Sequence, residues 1–70
     1  MFNYTLLNKR IIEKYETKTA FVKVLGMTER AFLLRMNGKA YFEQNEITKM
    51  IDLLDIPILE ATSYFFTVGE

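Results

Sequence analysis

The sequence contains no cysteine and no histidine, and these two absences exclude several classes of function. Without cysteine there is no disulfide framework and no thiolate metal site, and without histidine the usual zinc ligand and the usual general base are missing. The longest apolar runs are a few residues, far short of the roughly 20 that span a bilayer. The N-terminus also lacks the basic-then-apolar pattern of a signal peptide. We therefore expect a cytoplasmic protein without a metal, cofactor, catalytic residue or small-molecule ligand.

The size of the chain limits it to one small domain. Seventy residues are near the length at which a single core is only just sufficient, and oligomerisation often helps such proteins. Half of the residues are apolar and ten are aromatic, which predicts a packed core and argues against intrinsic disorder. We predict one domain over residues 1–70 and expect the protein to form a homodimer, at least when it is bound to its partner.

The net charge is zero, but the charges are segregated along the chain. Residues 1–40 contain eight basic and three acidic side chains, a net charge of plus five. Residues 41–70 contain one basic and six acidic side chains, a net charge of minus five. Neutralisation of phosphates supplies much of the affinity of proteins for nucleic acids. The basic half of the chain can therefore bind a nucleic acid even though the whole chain is neutral.

The basic half contains a pattern that predicts two short helices joined by a tight turn. Thr17 can accept a hydrogen bond from a free amide at the start of a helix over residues 18–25. Gly26 can adopt the left-handed conformation that ends a helix, and Thr28 can cap another helix over residues 29–37. Because the link is so short, the helices should cross steeply, as in a helix-turn-helix, whose second helix can enter the major groove of DNA.

The rest of the chain predicts three more helical segments. Residues 4–15 and 44–54 carry apolar side chains at the three-and-four spacing of a buried helix face. Pro57 breaks the chain and can begin one or two turns over residues 58–64, whereas residues 65–68 are predicted to be extended because they are aromatic and β-branched. The predicted fold class is all-α, with five helices and an extended C-terminal tail.

One set of residues recurs at the spacings seen in a known family: Lys18, Val22, Gly26, Thr28, Phe32 and Asn37-Gly38-Lys39. With these residues the stretch resembles the helix-turn-helix of lambda-type repressors and Cro proteins. It departs from the family pattern at Val22, where alanine is usual, and at Arg35, where a second buried aliphatic residue is usual. Met36 can supply the missing contact if the helix is slightly rotated, which would bring Arg35 nearer to the DNA.

The similarity extends over nearly the whole chain. Ile56-Pro57 and the closing Tyr64-Phe65-Phe66-Thr67, together with the apolar faces of the outer helices, look similar to small Cro-like proteins encoded by phages of Gram-positive bacteria. The resemblance implies a lambda-repressor-like domain with its helix-turn-helix at helices 2 and 3. It also implies a transcriptional repressor of the bacterial host cell, which inserts helix 3 into the major groove of a double-stranded operator, as a dimer.

The resemblance also implies which residues would contact DNA. The expected base contacts are Thr28, Glu29, Arg30 and Leu34. Arg30 can pair bidentately with a guanine, although a solvated surface arginine is an equally good interpretation of this residue alone. Glu29 can accept a hydrogen bond from a cytosine amine, but we favour the interpretation that it stabilises the helix N-terminus through the dipole. The expected phosphate contacts are Arg10, Lys18, Arg35, Asn37 and Lys39.

Two apolar features leave a second function open. A helix that turns Phe32 and Met36 inward cannot also bury Leu33 and Leu34, so at least one leucine should be exposed to a thymine methyl group or to a partner protein. The closing residues Tyr64, Phe65 and Phe66 should complete the core or form a dimer contact. The alternative is a protein-interaction module of the same fold, such as an antirepressor that binds another regulator.

Overall fold

The computed structural model describes residues 2–68, and within that range the chain forms five α-helices and one 3₁₀ turn. The helices are α1 (Thr5–Tyr15), α2 (Lys18–Leu25), α3 (Glu29–Met36), α4 (Gln44–Leu53) and α5 (Ala61–Phe65), and the 3₁₀ turn is Ile58–Glu60. The described residues form no β-strand, although Phe2 and Val68 make an isolated antiparallel bridge. The predicted all-α fold with five helices is confirmed. No helix between residues 2 and 68 is long and apolar enough to cross a bilayer.

The predicted capping residues mark the start and end of α2 and the start of α3, while α3 ends at Met36, one residue earlier than predicted. The side chain of Thr17 accepts a hydrogen bond from the amide of Ala20, and that of Thr28 accepts one from the amide of Ala31, both at 3.1 Å. Gly26 ends α2 with φ at 86°, in the left-handed region that most side chains avoid. The two helices and their three-residue connection therefore follow from local capping and backbone preferences.

A single core lies between the helices, and α3 contributes least to it among the first three. α1 contributes two buried side chains and α2 three, whereas α3 buries only Phe32. Phe42, in the loop before α4, packs against Tyr4, Phe32 and Phe65 with ring centroids 5.5 to 6.4 Å apart. The buried residues are Leu7, Ile11, Phe21, Val22, Leu25, Phe32, Met50, Leu54, Ile56 and Phe65.

The C-terminal segment differs from the prediction. The turns after Pro57 are divided between the 3₁₀ turn and α5, and Phe65 belongs to α5 instead of an extended tail. Phe65 is only 2% exposed, so burial of its ring outweighs its β-propensity. The chain leaves the helix after Phe65, and the amide of Asn3 then donates a hydrogen bond to the carbonyl of Thr67 at 2.6 Å.

Candidate nucleic-acid interface

The outer face of α3 combines charged and apolar side chains. Glu29, Arg30, Leu33 and Leu34 are exposed, whereas Phe32 is buried beneath them. The exposed residues stand three and four positions apart, so they share one face of the helix. Leu33 is 46% exposed and Leu34 39%, which confirms that the helix cannot bury both and shows that it buries neither.

The first turns of α2 and α3 lie side by side. The hydroxyl of Thr19 donates a hydrogen bond of 2.5 Å to a carboxylate oxygen of Glu29. Lys18 precedes Thr19 and Arg30 follows Glu29 in sequence. The first turns of α2 and α3 therefore each contribute one basic residue to the same end of the helix pair. Glu29 also lies in the first turn of α3, where a negative charge interacts favourably with the helix dipole. Its carboxylate is thus already engaged within the protein.

Besides Thr28, Glu29 and Leu34, four predicted contact residues are exposed and lie on this pair or directly after it. Arg30 is exposed and forms no ion pair with any acidic side chain of residues 2–68. Lys18 is the first residue of α2, while Asn37 and Lys39 follow the last turn of α3, and all three are exposed. Their exposure makes these side chains accessible to a ligand that approaches α3.

Arg10 has a different position from the one expected of a phosphate contact. Its Nε donates to the carbonyl of Leu54 at 2.9 Å and its Nη2 donates to the carbonyl of Asp55 at 3.0 Å. These carbonyls follow α4, where a cation interacts favourably with the helix C-terminus. We therefore correct the prediction and assign Arg10 to the fold, because its guanidinium is directed at the protein backbone.

Arg35 requires a similar correction. Its Nε donates to Glu46 at 2.9 Å, its Nη1 donates to the carbonyl of Ala31 at 3.1 Å, and its side chain is only 18% exposed. Met36 does pack against the core as expected. The orientation of α3 that packs Met36 against the core turns Arg35 towards α4 and away from the outer face. The predicted orientation of Arg35, towards the outer face, is therefore wrong.

Two residues of α4 support the α2–α3 pair and were not predicted from the sequence. Glu46 accepts from Arg35 and also from the backbone amide of Glu43 at 2.8 Å, as part of a capping box. Lys49 donates from Nζ to the carbonyl of Leu25, the last residue of α2, at 2.9 Å. The spacing of Glu43 and Glu46 could have indicated the capping box, but no local pattern indicates the tertiary partners.

The closing aromatic residues have three different environments. Phe65 is in the core, Tyr64 is half-buried against it, and Phe66 is 48% exposed. The turns over residues 58–64 were predicted, but not the exposure of two aliphatic residues in the 3₁₀ turn, where Ile58 is 75% exposed and Leu59 93%. Phe66 and these two aliphatic residues, together with Val68, are exposed apolar groups of the C-terminal part that a second protein molecule could cover.

The fold and the exposed face of α3 define a small all-helical domain with a closely linked helix pair at its basic end. This chain belongs to the family described as "Protein of unknown function (DUF739)", which it matches over residues 1–68. No curated protein matches the chain. Within residues 2–68 there is no cluster of three or more acidic side chains placed to hold a metal ion.

Proposed function

We propose that this protein is a sequence-specific DNA-binding transcriptional regulator of the Cro type that inserts α3 into the major groove of an operator. The observation that carries the proposal is the outer face of α3, which exposes both charged and apolar side chains and follows the tight turn after α2. A B-DNA major groove is about 12 Å wide and accepts a helix. On this face Arg30 is available for a guanine, and Leu33 and Leu34 are available for thymine methyl groups.

The charges around the pair support the same orientation on DNA. Lys18 lies at the start of α2, where backbone amides without helical partners also attract phosphate. Asn37 and Lys39 lie beyond the other end of α3, so polar side chains flank the helix at both ends. In this proposal these three residues contact phosphates and fix the register, while α3 selects the sequence.

We further propose that the protein binds its operator as a homodimer. A twofold dimer would place two α3 helices about one duplex turn apart, roughly 34 Å, on a pseudo-palindromic site. The exposed side chains of Ile58, Leu59 and Phe66 supply apolar surface that a second copy would cover. Occupation of a promoter by such a dimer would exclude RNA polymerase, and this mechanism needs no cofactor.

Fluorescence anisotropy tests the proposal directly. The protein is titrated into labelled intergenic DNA from beside its own gene and into a shuffled duplex, at two salt concentrations. We expect tight, salt-sensitive binding to the native duplex alone, and about tenfold weaker binding by Arg30→Ala if one bidentate base contact is lost. Lys9→Ala is the matched control, since it removes an exposed positive charge outside α2 and α3.

The outcomes separate this proposal from the protein-interaction alternative. Equal binding to both duplexes, or equal losses in Arg30→Ala and Lys9→Ala, would contradict sequence recognition by α3. An absence of binding at low salt would favour an antirepressor, for which the exposed Leu33 and Leu34 supply apolar contacts to another regulator. Such an apolar interface would be far less sensitive to salt than phosphate contacts are.

A further inference from the structure

The orientation of α3 depends on more than apolar packing. This helix has one fully buried side chain, Phe32, and its outer face is turned away from the protein. A helix of eight residues with one fully buried ring and a half-buried Met36 can pivot about that ring unless other contacts hold its ends. The first turn of α3 is held by the hydrogen bond from Thr19 to Glu29, and its last turn is held by α4.

The contact with the last turn is a nearly buried ion pair. The side chains of Arg35 and Glu46 are 18% and 16% exposed, so their attraction is weakly screened by solvent. The second hydrogen bond of Arg35, to the carbonyl of Ala31, fixes the guanidinium along α3. The amide of Glu43 fixes the carboxylate at the start of α4. Both charged groups are therefore held in place before they meet.

The neighbouring contact holds the other helix of the pair. Lys49 follows Glu46 by three positions, which places both side chains on one face of α4. Its ammonium group donates to the carbonyl of Leu25, one of the carbonyls that the end of a helix leaves without an internal partner. One face of α4 thus contacts the end of α2 through Lys49 and the end of α3 through Glu46.

We propose that Glu46 and Lys49 form a two-point brace that sets the crossing angle of α2 and α3 and thereby the direction of the outer face of α3. Both are positioning residues, because they act through Leu25 and Arg35 and touch no DNA. The consequence for operator affinity rests on the proposed function. The geometric part, that α4 fixes the orientation of α3, stands independently of it.

Spin-label distances test the geometric part. Because the chain has no cysteine, exposed Glu13 on α1 and exposed Leu33 on α3 can each be replaced by a labelled cysteine without further changes. We expect a narrow distance distribution in the parent protein, and a broadened or shifted one in Glu46→Gln and in Lys49→Met. Glu60→Gln and Lys23→Met, which change exposed residues outside the brace, are the matched controls and should leave the distribution unchanged.

Circular dichroism of the same samples shows whether the variants remain folded, and two separate brace variants keep the test decisive if one fails to fold. Distance distributions in both brace variants that match that of the parent protein would overturn the proposal.

The effect on operator DNA is measured separately. We expect each brace variant to bind about tenfold more weakly than the parent, with an unchanged slope of log affinity against log salt concentration, because no phosphate contact is removed. Lys18→Met, by contrast, should reduce the magnitude of this slope by about 0.9, because it removes one proposed phosphate contact. If the parent protein binds no DNA, the proposed function fails while the distance measurement still decides the brace.

Discussion

The two ends of α4 hold the rest of the molecule in different ways. At the C-terminal end, three side chains of α1 reach oxygen atoms of residues 53–55: Arg10, Lys14 and Tyr15. α1 is also anchored by two fully buried side chains, Leu7 and Ile11. The polar contacts at this end therefore reinforce an apolar attachment that already fixes the helix.

At the N-terminal end of α4, the attached helix α3 has little apolar burial. Glu46, in the first turn of α4, holds α3 through an ion pair, while α3 adds only Phe32 to the buried core. The difference follows from the exposure of Leu33 and Leu34, since a helix that keeps these leucines on its outer face cannot also bury them in the core. The comparison indicates that α1 is fixed mainly by burial, whereas α3 is oriented by charges that single substitutions can remove.

Phe32→Ala should have the largest effect, because it removes the one fully buried side chain of α3. We expect a loss of about 3 to 5 kcal/mol in the free energy of unfolding, as for other buried aromatic residues. Urea denaturation measures this loss. Leu33→Ala, on the exposed face, is the control and should change stability by roughly 0.5 kcal/mol or less. A loss below that of the control would show that α3 is not anchored by this ring.

Arg35→Met should have the next largest effect, because it leaves Glu46 nearly buried without its cation. We expect a loss of about 2 to 4 kcal/mol in unfolding free energy, slightly below the range for fully buried pairs because both side chains keep some solvent contact. Adding Glu46→Met should recover most of the loss, since an apolar pair of similar volume removes the stranded charge. Equal stability of the single and double variants would contradict this explanation.

Arg10→Met tests the other end of α4. We expect a loss of about 1 to 2 kcal/mol, because two backbone carbonyls lose a charged donor while Leu7 and Ile11 stay buried. Under conditions in which the variant is folded, its operator affinity should equal that of the parent. Thermal unfolding and anisotropy measure the two quantities. A large loss of affinity in the folded variant would restore Arg10 to the phosphate contacts.

The smallest effect concerns pH at Asp55. The hydrogen bond from Lys14, followed by its charge, holds the pKa of this carboxyl below its ordinary value of 3.8. A lowered pKa means that the carboxylate stabilises the fold above about pH 4 and that this contribution is lost as the pH falls through the lowered value. Lys14→Met should raise the pKa towards 3.8, as an NMR titration of the carboxyl group would show. An unchanged pKa would show that the contact is not formed in solution.

Local signals predicted the helix pair well, and distant partners explain the failures. Thr17, Gly26 and Thr28 act on backbone groups within four residues, so their roles can be deduced from sequence. Arg35 meets Glu46 across 11 positions and Arg10 meets the carbonyl of Leu54 across 44, so neither pairing has a local pattern. From sequence alone, an arginine whose guanidinium faces solvent cannot be distinguished from one whose guanidinium binds the protein backbone. Both were therefore predicted to be phosphate contacts.

The turn between α2 and α3 has an evolutionary consequence. A Cβ atom at Gly26 would lie 3.6 Å from the Nζ atom of Lys49, which is an ordinary contact, so space does not exclude a side chain there. The backbone does, because its φ of 86° disfavours residues other than glycine and, to a lesser degree, asparagine or aspartate. In divergent members of the family we therefore expect glycine to be retained at this position, with asparagine or aspartate as the main replacements.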